Sequence, residues 1–219
     1  MTDNQKREFF NTPSEDIVSS VIQALAAALA IGGLVALIYL ALPYGALSIT
    51  GVSVYGGTLI FAFLASALYH GVRHDRIKRV FRTIDHCAIL LLIAGTYTPV
   101  ALIVLEHHGG MVLLSAVWSI ALTGVAMRIA TPRLFLKLRV AFYLVMGWLV
   151  VGWASPVIDG IGAWGAGLFL AGGLTYSAGL VFYAWKRLPY NHAVWHLFVI
   201  AGSSCFYIAT TLFVIPGHA

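Results

Sequence analysis

Charge is scarce in this 219-residue sequence, where Asp, Glu, Lys and Arg together make up 10%. An ordinary soluble domain has about 25%, so a chain solvated on all sides is excluded. Cysteine is nearly absent, with only Cys87 and Cys205. Both fall in apolar stretches, and two isolated thiols without CxxC spacing give neither a disulfide framework nor a thiolate site. They are expected to be packing residues. A signal-peptide pattern is also missing. Residues 1–16, MTDNQKREFFNTPSED, are polar and carry both signs of charge, without the basic start, short apolar stretch and cleavage site of a removed leader. The first apolar stretch is therefore expected to be retained.

Apolar residues make up 60% of the sequence. From residue 17 onward, stretches of about 20 such residues recur, each long enough to cross about 30 Å of hydrocarbon. The expectation is an all-α membrane protein. A cytoplasmic tail, 1–16, precedes a seven-helix transmembrane bundle over 17–215, with helices near 17–42, 47–71, 83–105, 111–130, 134–154, 161–185 and 192–215. Pro43-Tyr44-Gly45, Glu106 to Gly110, Thr131-Pro132, Ser155-Pro156 with Asp159-Gly160, and Leu188-Pro189 mark the breaks, because Pro cannot continue a helix and Gly turns cheaply. Pro99 falls inside the third span and should kink it. The glycines of the sixth span (162, 165, 167, 172, 173 and 179) predict a close packing face.

All 13 Lys and Arg fall on one side of this arrangement: Lys6 and Arg7 in the tail; Arg73, Arg76, Lys78, Arg79 and Arg82 between spans two and three; Arg128, Arg133, Lys137 and Arg139 around the fourth and fifth; Lys186 and Arg187 before the seventh. The positive-inside rule places the N-terminus in the cytoplasm and the C-terminus outside. The formal charge of +5 is then explained by topology, and nucleic acid is not an expected partner.

Polar residues collect at the same end. His70 closes span two with Ser66 one turn deeper, Asp85 and His86 open span three, and His192 and His196 open span seven. In span one, Glu15, Ser19 and Gln23 share a face at four-residue spacing. The His192-Ala-Val-Trp-His196 spacing sets two imidazoles about 5–6 Å apart on one helical face. Together with His70 they make a three-histidine set with a fourth position open, the ligand pattern of catalytic zinc. Asp85 would handle the proton of a water there, and Ser66 would bond the water or a ligand. Each feature alone also fits hydrogen-bonded packing, but an ionisable residue inside a span is by default a functional candidate. His74 and His86 are expected at the interface, and His107, His108 and His218 in solvent.

Ser66-x-x-x-His70, Asp85-His86 leading into Ala94-Gly95-Thr96-Tyr97-Thr98-Pro99, and His192-x-x-x-His196-Leu-Phe-Val resemble the hemolysin III family. That family lies within the progestin and adipoQ receptor (PAQR) group and is similar to alkaline ceramidases. The resemblance implies a multi-pass protein of the bacterial plasma membrane with zinc near the cytoplasmic face, held by His70, His192 and His196. It also implies Asp85 beside the metal-bound water and Ser66 in support. Members often open the first span with an acidic pair followed by Asn and His; here Glu15-Asp16 is followed by Ser19 and Gln23, a degraded version of the motif. Ala193 stands where an HExxH protease carries its Glu, so that mechanism has no base.

The leading expectation is a zinc-dependent hydrolase of a membrane lipid amide or ester. The alternatives are a non-catalytic lipid-sensing regulator and a cytolytic pore. A pore needs a polar path through the full thickness, and the outer half offers Glu106, His107, His108, Asp159 and His218 only in loops or at the terminus.

Overall fold

The computed structural model describes residues 12–185 and 187–218, with no β-strand among them. The expectations for residues 1–11, Lys6 and Arg7 included, and for Lys186 lie outside the described residues. Helices α1 (Pro13–Ala41), α2 (Gly45–Gly71), α3 (Asp75–Pro99), α4 (Gly110–Ala130), α5 (Pro132–Trp148), α6 (Ala154–Ala184) and α7 (Asn191–Ala209) follow in order. Tighter or wider helical turns extend or join them at Leu42–Tyr44, Val100–Val104, Leu149–Trp153, Thr210–Val214 and Ile215–His218.

Five helical stretches are long and apolar enough to cross a membrane: Pro13–Gly71, Asp75–Val104, Gly110–Ala130, Pro132–Ala184 and Asn191–Gly217. The first and fourth run 59 and 53 residues, more than twice the about 20 of a single crossing. Each is folded back on itself. Pro43 and Gly45, the latter at φ 85°, reverse the chain after α1. Ser20 Oγ then donates to the Ala67 carbonyl at 2.9 Å while Leu34 abuts Gly56, so α1 and α2 run antiparallel. In the fourth stretch Trp148 Nε1 donates to Ser177 Oγ at 3.2 Å, and Arg139 lies over the Tyr183 ring. That makes α5 and α6 antiparallel too.

The helices form a ring closed by α1 and α7, which run parallel: Gln23 meets His196, and Tyr207 Oη donates to the Gly33 carbonyl at 3.1 Å. Leu37, Val52, Leu90, Leu92, Leu113, Val117 and Met146 fill the interior and are almost fully buried. Large apolar side chains such as Leu29, Val35, Tyr39, Leu122 and Trp164 cover the outside, as a lipid-facing surface requires.

Gly165, Gly172 and Gly179, seven residues apart, let α6 press against α7. A Cβ at these positions would lie 2.9 Å from Phe213, 2.7 Å from Phe206 and 2.7 Å from Phe198. This is the close face that the glycines predict, but Gly167 and Gly173 face open space instead. Gly162 (φ 70°, ψ 170°) breaks α6.

Several boundaries differ from the sequence reading. Helix α3 begins at Asp75 rather than near residue 83, so Arg76, Lys78, Arg79 and Arg82 are helical rather than loop residues. Nothing between 75 and 94 is Gly or Pro, and Asp75 complements the helix dipole in its first turn. Ser155-Pro156 opens α6 instead of separating spans, because Pro lacks only an N–H that the first turn leaves unused. Pro99 ends α3, and the chain continues in a wider turn in which Leu105 N donates to the Val100 carbonyl at 3.0 Å.

Candidate metal centre

The site lies at the end of the ring where α1 and α7 begin and α2 ends. A capping box sets α1: Thr12 Oγ1 accepts from Glu15 N, and the Glu15 carboxylate accepts from Thr12 N. Glu15 also accepts from Tyr190 N at 2.8 Å. Tyr190 holds a left-handed φ of 56° immediately before α7, a strained conformation for a bulky residue. Glu15 therefore clamps the start of the helix that carries His192 and His196.

One residue further along, Asp16, Ser19 and Gln23 turn inward and are buried. Asp16 Oδ1 accepts from His70 Nδ1 at 2.8 Å, and its second oxygen pairs with Lys78. Gln23 lies 2.6 Å from His196 Nδ1. His196 Nε2 and His70 Nε2 are 3.1 Å apart. His192 completes the cluster, its ring centroid 4.8 Å from that of His70 and 4.7 Å from that of His196.

One ligand nitrogen from each of the three histidines falls within 4.8 Å of the others, so the cluster can hold a metal ion. Its chemistry fits one. With Asp16 accepting its proton, His70 carries hydrogen on Nδ1 and turns the Nε2 lone pair inward. The Gln23 amide nitrogen faces His196 Nδ1 while its oxygen is buried without a partner; turned by 180°, the amide would accept from His196 Nδ1–H through that oxygen and fix the ring in the same tautomer. Two lone pairs 3.1 Å apart repel unless a proton or a cation lies between them. Neighbouring ligands of a tetrahedral zinc, at about 2.0–2.1 Å from the metal, are about 3.3–3.4 Å apart.

Beside the cluster is a pocket of about 40 Å³, room for one or two waters. Asp85, Ser66, His192 and His196 line it, with Arg139 and Tyr183. Ser66 Oγ is buried there beside the Asp85 carboxylate. Ile89, Tyr143, Leu180 and Trp195 separate this pocket from an apolar cavity of about 440 Å³ between α3, α5, α6 and α7, and belong to the walls of both.

A family model described as "Haemolysin-III related" matches residues 11–207. The chain belongs to the hemolysin III family. It is 38% identical over 203 residues to "Hemolysin-3" of Bacillus cereus, covering 92% of this chain and 93% of that protein. The "Hemolysin-3 homolog" of Bacillus subtilis (strain 168) is 37% identical over 205 residues, covering 93% and 96%. A more distant relative, the Homo sapiens "Monocyte to macrophage differentiation factor", is 28% identical over 168 residues, covering 71% and 67%.

Within this hemolysin III chain the three histidines named from the sequence come together, and Asp85 and Ser66 line the adjoining pocket. The first helix, whose motif looked degraded, contributes through Asp16 and Gln23 rather than through Glu15. The Thr12-x-x-Glu15 capping signature was the sequence signal that could have assigned Glu15 to the helix end and moved the inward face by one residue. Lys78 was absorbed into the topology count, yet it is buried against Asp16. His86 is not interfacial: it is buried and accepts from Arg128 Nε at 3.2 Å. His107 and His108 are exposed as expected, and His74 is exposed too. Cys87 and Cys205 are free thiols, buried and half-buried.

Proposed function

We propose that this hemolysin III protein is a zinc-dependent hydrolase of a membrane lipid amide or ester. In this reading both long helical stretches cross the membrane twice. The seven-helix domain then covers 17–215, the 1–16 tail lies in the cytoplasm, and the site faces the inner leaflet of a bacterial plasma membrane. The charge pattern supports that orientation: Lys78 pairs with Asp16, Arg128 with His86, and Arg139 lies over Tyr183, so basic residues from α3, α4 and α5 share the end where the histidines converge.

One observation carries the functional reading: a three-imidazole cluster, a carboxylate and a buried hydroxyl adjoin an apolar cavity of about 440 Å³. His70, His192 and His196 would hold the zinc, which would supply Lewis-acid polarisation of a carbonyl and a lowered pKa for water. Asp16 and Gln23 hold the two buried imidazoles in the ligating tautomer. Asp85 takes the proton of the attacking water and returns it to the leaving amine or alcohol. Ser66 Oγ orients that water or the scissile group. The apolar cavity holds the acyl chain and excludes bulk water.

Elemental analysis of protein purified without chelators should give about one zinc per chain, falling sharply in His192→Ala and His196→Ala. Incubation with N-acyl and O-acyl lipids should release fatty acid, and Asp85→Ala should abolish the release. Metal-replete protein that frees no acid from either class would refute the hydrolase. It would favour the lipid-sensing regulator, for which the cavity of about 440 Å³ is the supporting observation. The names of the Bacillus relatives speak of haemolysis. A pore through one such ring would have to displace Leu37, Val52, Leu92, Val117 and Met146 from its interior.

A further inference from the structure

Arg139 is the one Lys or Arg lining the small pocket, and Asp85 its one carboxylate. The Arg139 Nε is buried and has no hydrogen-bond partner. Its guanidinium lies 5.3 Å from the centre of the Tyr183 ring, and stacking of that kind fixes the plane of the fork. Arg82 and Arg128 also bring their charge to bear on neighbouring His86, and Arg82 lies within electrostatic reach of Asp85. Arg128 is taken by His86, to whose Nδ1 its Nε donates at 3.2 Å, which leaves Arg139 as the guanidinium that lines the pocket. Lys78, the remaining nearby cation, is held by Asp16. A buried guanidinium N–H without a partner is costly, and together with a neighbouring Nη–H it makes one edge of the fork that takes a carboxylate or phosphate. A cationic head would leave it unsatisfied, and a neutral oxygen would accept from it without the charge assistance that an anion brings. The cavity beyond Tyr143 and Leu180 is apolar and takes no head group of its own.

We propose that the pocket selects acyl lipids whose head bears an anionic group, a carboxylate or a phosphate, and that Arg139 is the residue that recognises it. This rests on reading the pocket as the lipid site, and it narrows the substrate class of that reading. The acyl tail lies in the cavity along α6. Gly173 lines that cavity, and no atom lies within 4 Å of where its Cβ would be, so a larger side chain there occupies tail space without displacing protein.

The test uses the full chain in phosphatidylcholine nanodiscs, with dissociation constants for dodecanoate, dodecyl phosphate and uncharged dodecanol. At least one anion should bind about 10-fold or more tighter than dodecanol; whichever leads identifies the head. Arg139→Gln should remove that preference and leave dodecanol binding unchanged. Gly173→Leu should weaken all three. Should Arg139→Gln fail to fold, Arg139→Lys carries the test, since it keeps the charge, loses the fork and should retain only part of the preference. The His192→Ala variant separates this inference from the metal reading. Persistence of the preference there supports recognition by Arg139 whether or not zinc is bound. Its loss in His192→Ala together with its survival in Arg139→Gln would mean that the metal captures the head, which overturns the inference and leaves the metal site standing. Equal binding of dodecanol and both anions also overturns it.

Discussion

Replacing Asp16 with Asn keeps the shape of the side chain and removes its charge. Two contacts change at once. His70 Nδ1 loses a carboxylate at 2.8 Å, and Lys78, whose side chain is 10% exposed, loses its counter-charge. Loss of an outer partner of a ligating histidine weakens metal binding by about 10–100-fold, or about 1.4–2.7 kcal/mol. Breaking a fully buried ion pair costs about 3–5 kcal/mol of folding free energy. Here the cost should fall below that range, because the flexible lysine stem lets the ammonium reach the interface. Zinc affinity, measured by competition with a chromophoric chelator, should therefore drop by one to two orders of magnitude in Asp16→Asn. The unfolding midpoint without metal should drop as well. Lys78→Met separates the two effects: it should lower the midpoint and leave zinc affinity near the parent value, since Asp16 still accepts from His70. A folded Asp16→Asn protein that binds zinc as tightly as the parent would refute the claim that this carboxylate orients the ligand.

Stripping metal with a chelator should lower the thermal midpoint, and returning zinc to 100 times its dissociation constant should restore about 2.7 kcal/mol; an unchanged midpoint would mean that the cluster binds no ion. Gly110→Ala would place a Cβ 2.0 Å from the Ala101 carbonyl oxygen, so α4 must shift against the turn after α3, at a cost of about 1–3 kcal/mol. Gly32→Ala meets nothing within 4 Å and should be neutral or stabilising by up to about 1 kcal/mol. Both are read from unfolding midpoints at one scan rate. Tyr97→Phe removes a hydroxyl that bonds the Met146 and Gly147 carbonyls at 2.8 and 2.9 Å and accepts from Val150 N. It should cost about 1–3 kcal/mol and speed hydrogen exchange around residues 146–150. Tyr190→Gly relieves the left-handed backbone before α7 and should be tolerated, whereas Glu15→Ala should destabilise by about 1 kcal/mol through the lost cap.

The helical class, the turns at residues 43–45, at 106–110 and at Thr131-Pro132, and the histidine set were legible because each leaves a mark in local sequence: long apolar runs, Pro and Gly at the breaks, and imidazoles four residues apart. The one-residue shift in α1 was less so. Positions 15, 19 and 23 and positions 16, 19 and 23 both describe an inward stripe, and only the role of Glu15 in the cap decides between them. The start of α3 was hidden for a different reason. Arg76, Lys78, Arg79 and Arg82 read as solvated loop because hydropathy registers charge and not helix propensity. The partners of buried cations were invisible, since His86 with Arg128, and Asp16 with Lys78, join helices far apart in sequence. The cavity had no sequence signature either, because its walls come from α3, α5, α6 and α7, which are far apart in the chain.

Gln23 and His196 touch although they are 173 positions apart in the sequence. A ribosome feeding this chain into a bilayer delivers α1 early, and its acid and amide then wait for the arrival of α7. Until that last helix inserts, His70 has no imidazole opposite it and no ion can be chelated. An ion held by the three histidines would therefore be captured late in biogenesis, and its retention would report that the ring has closed.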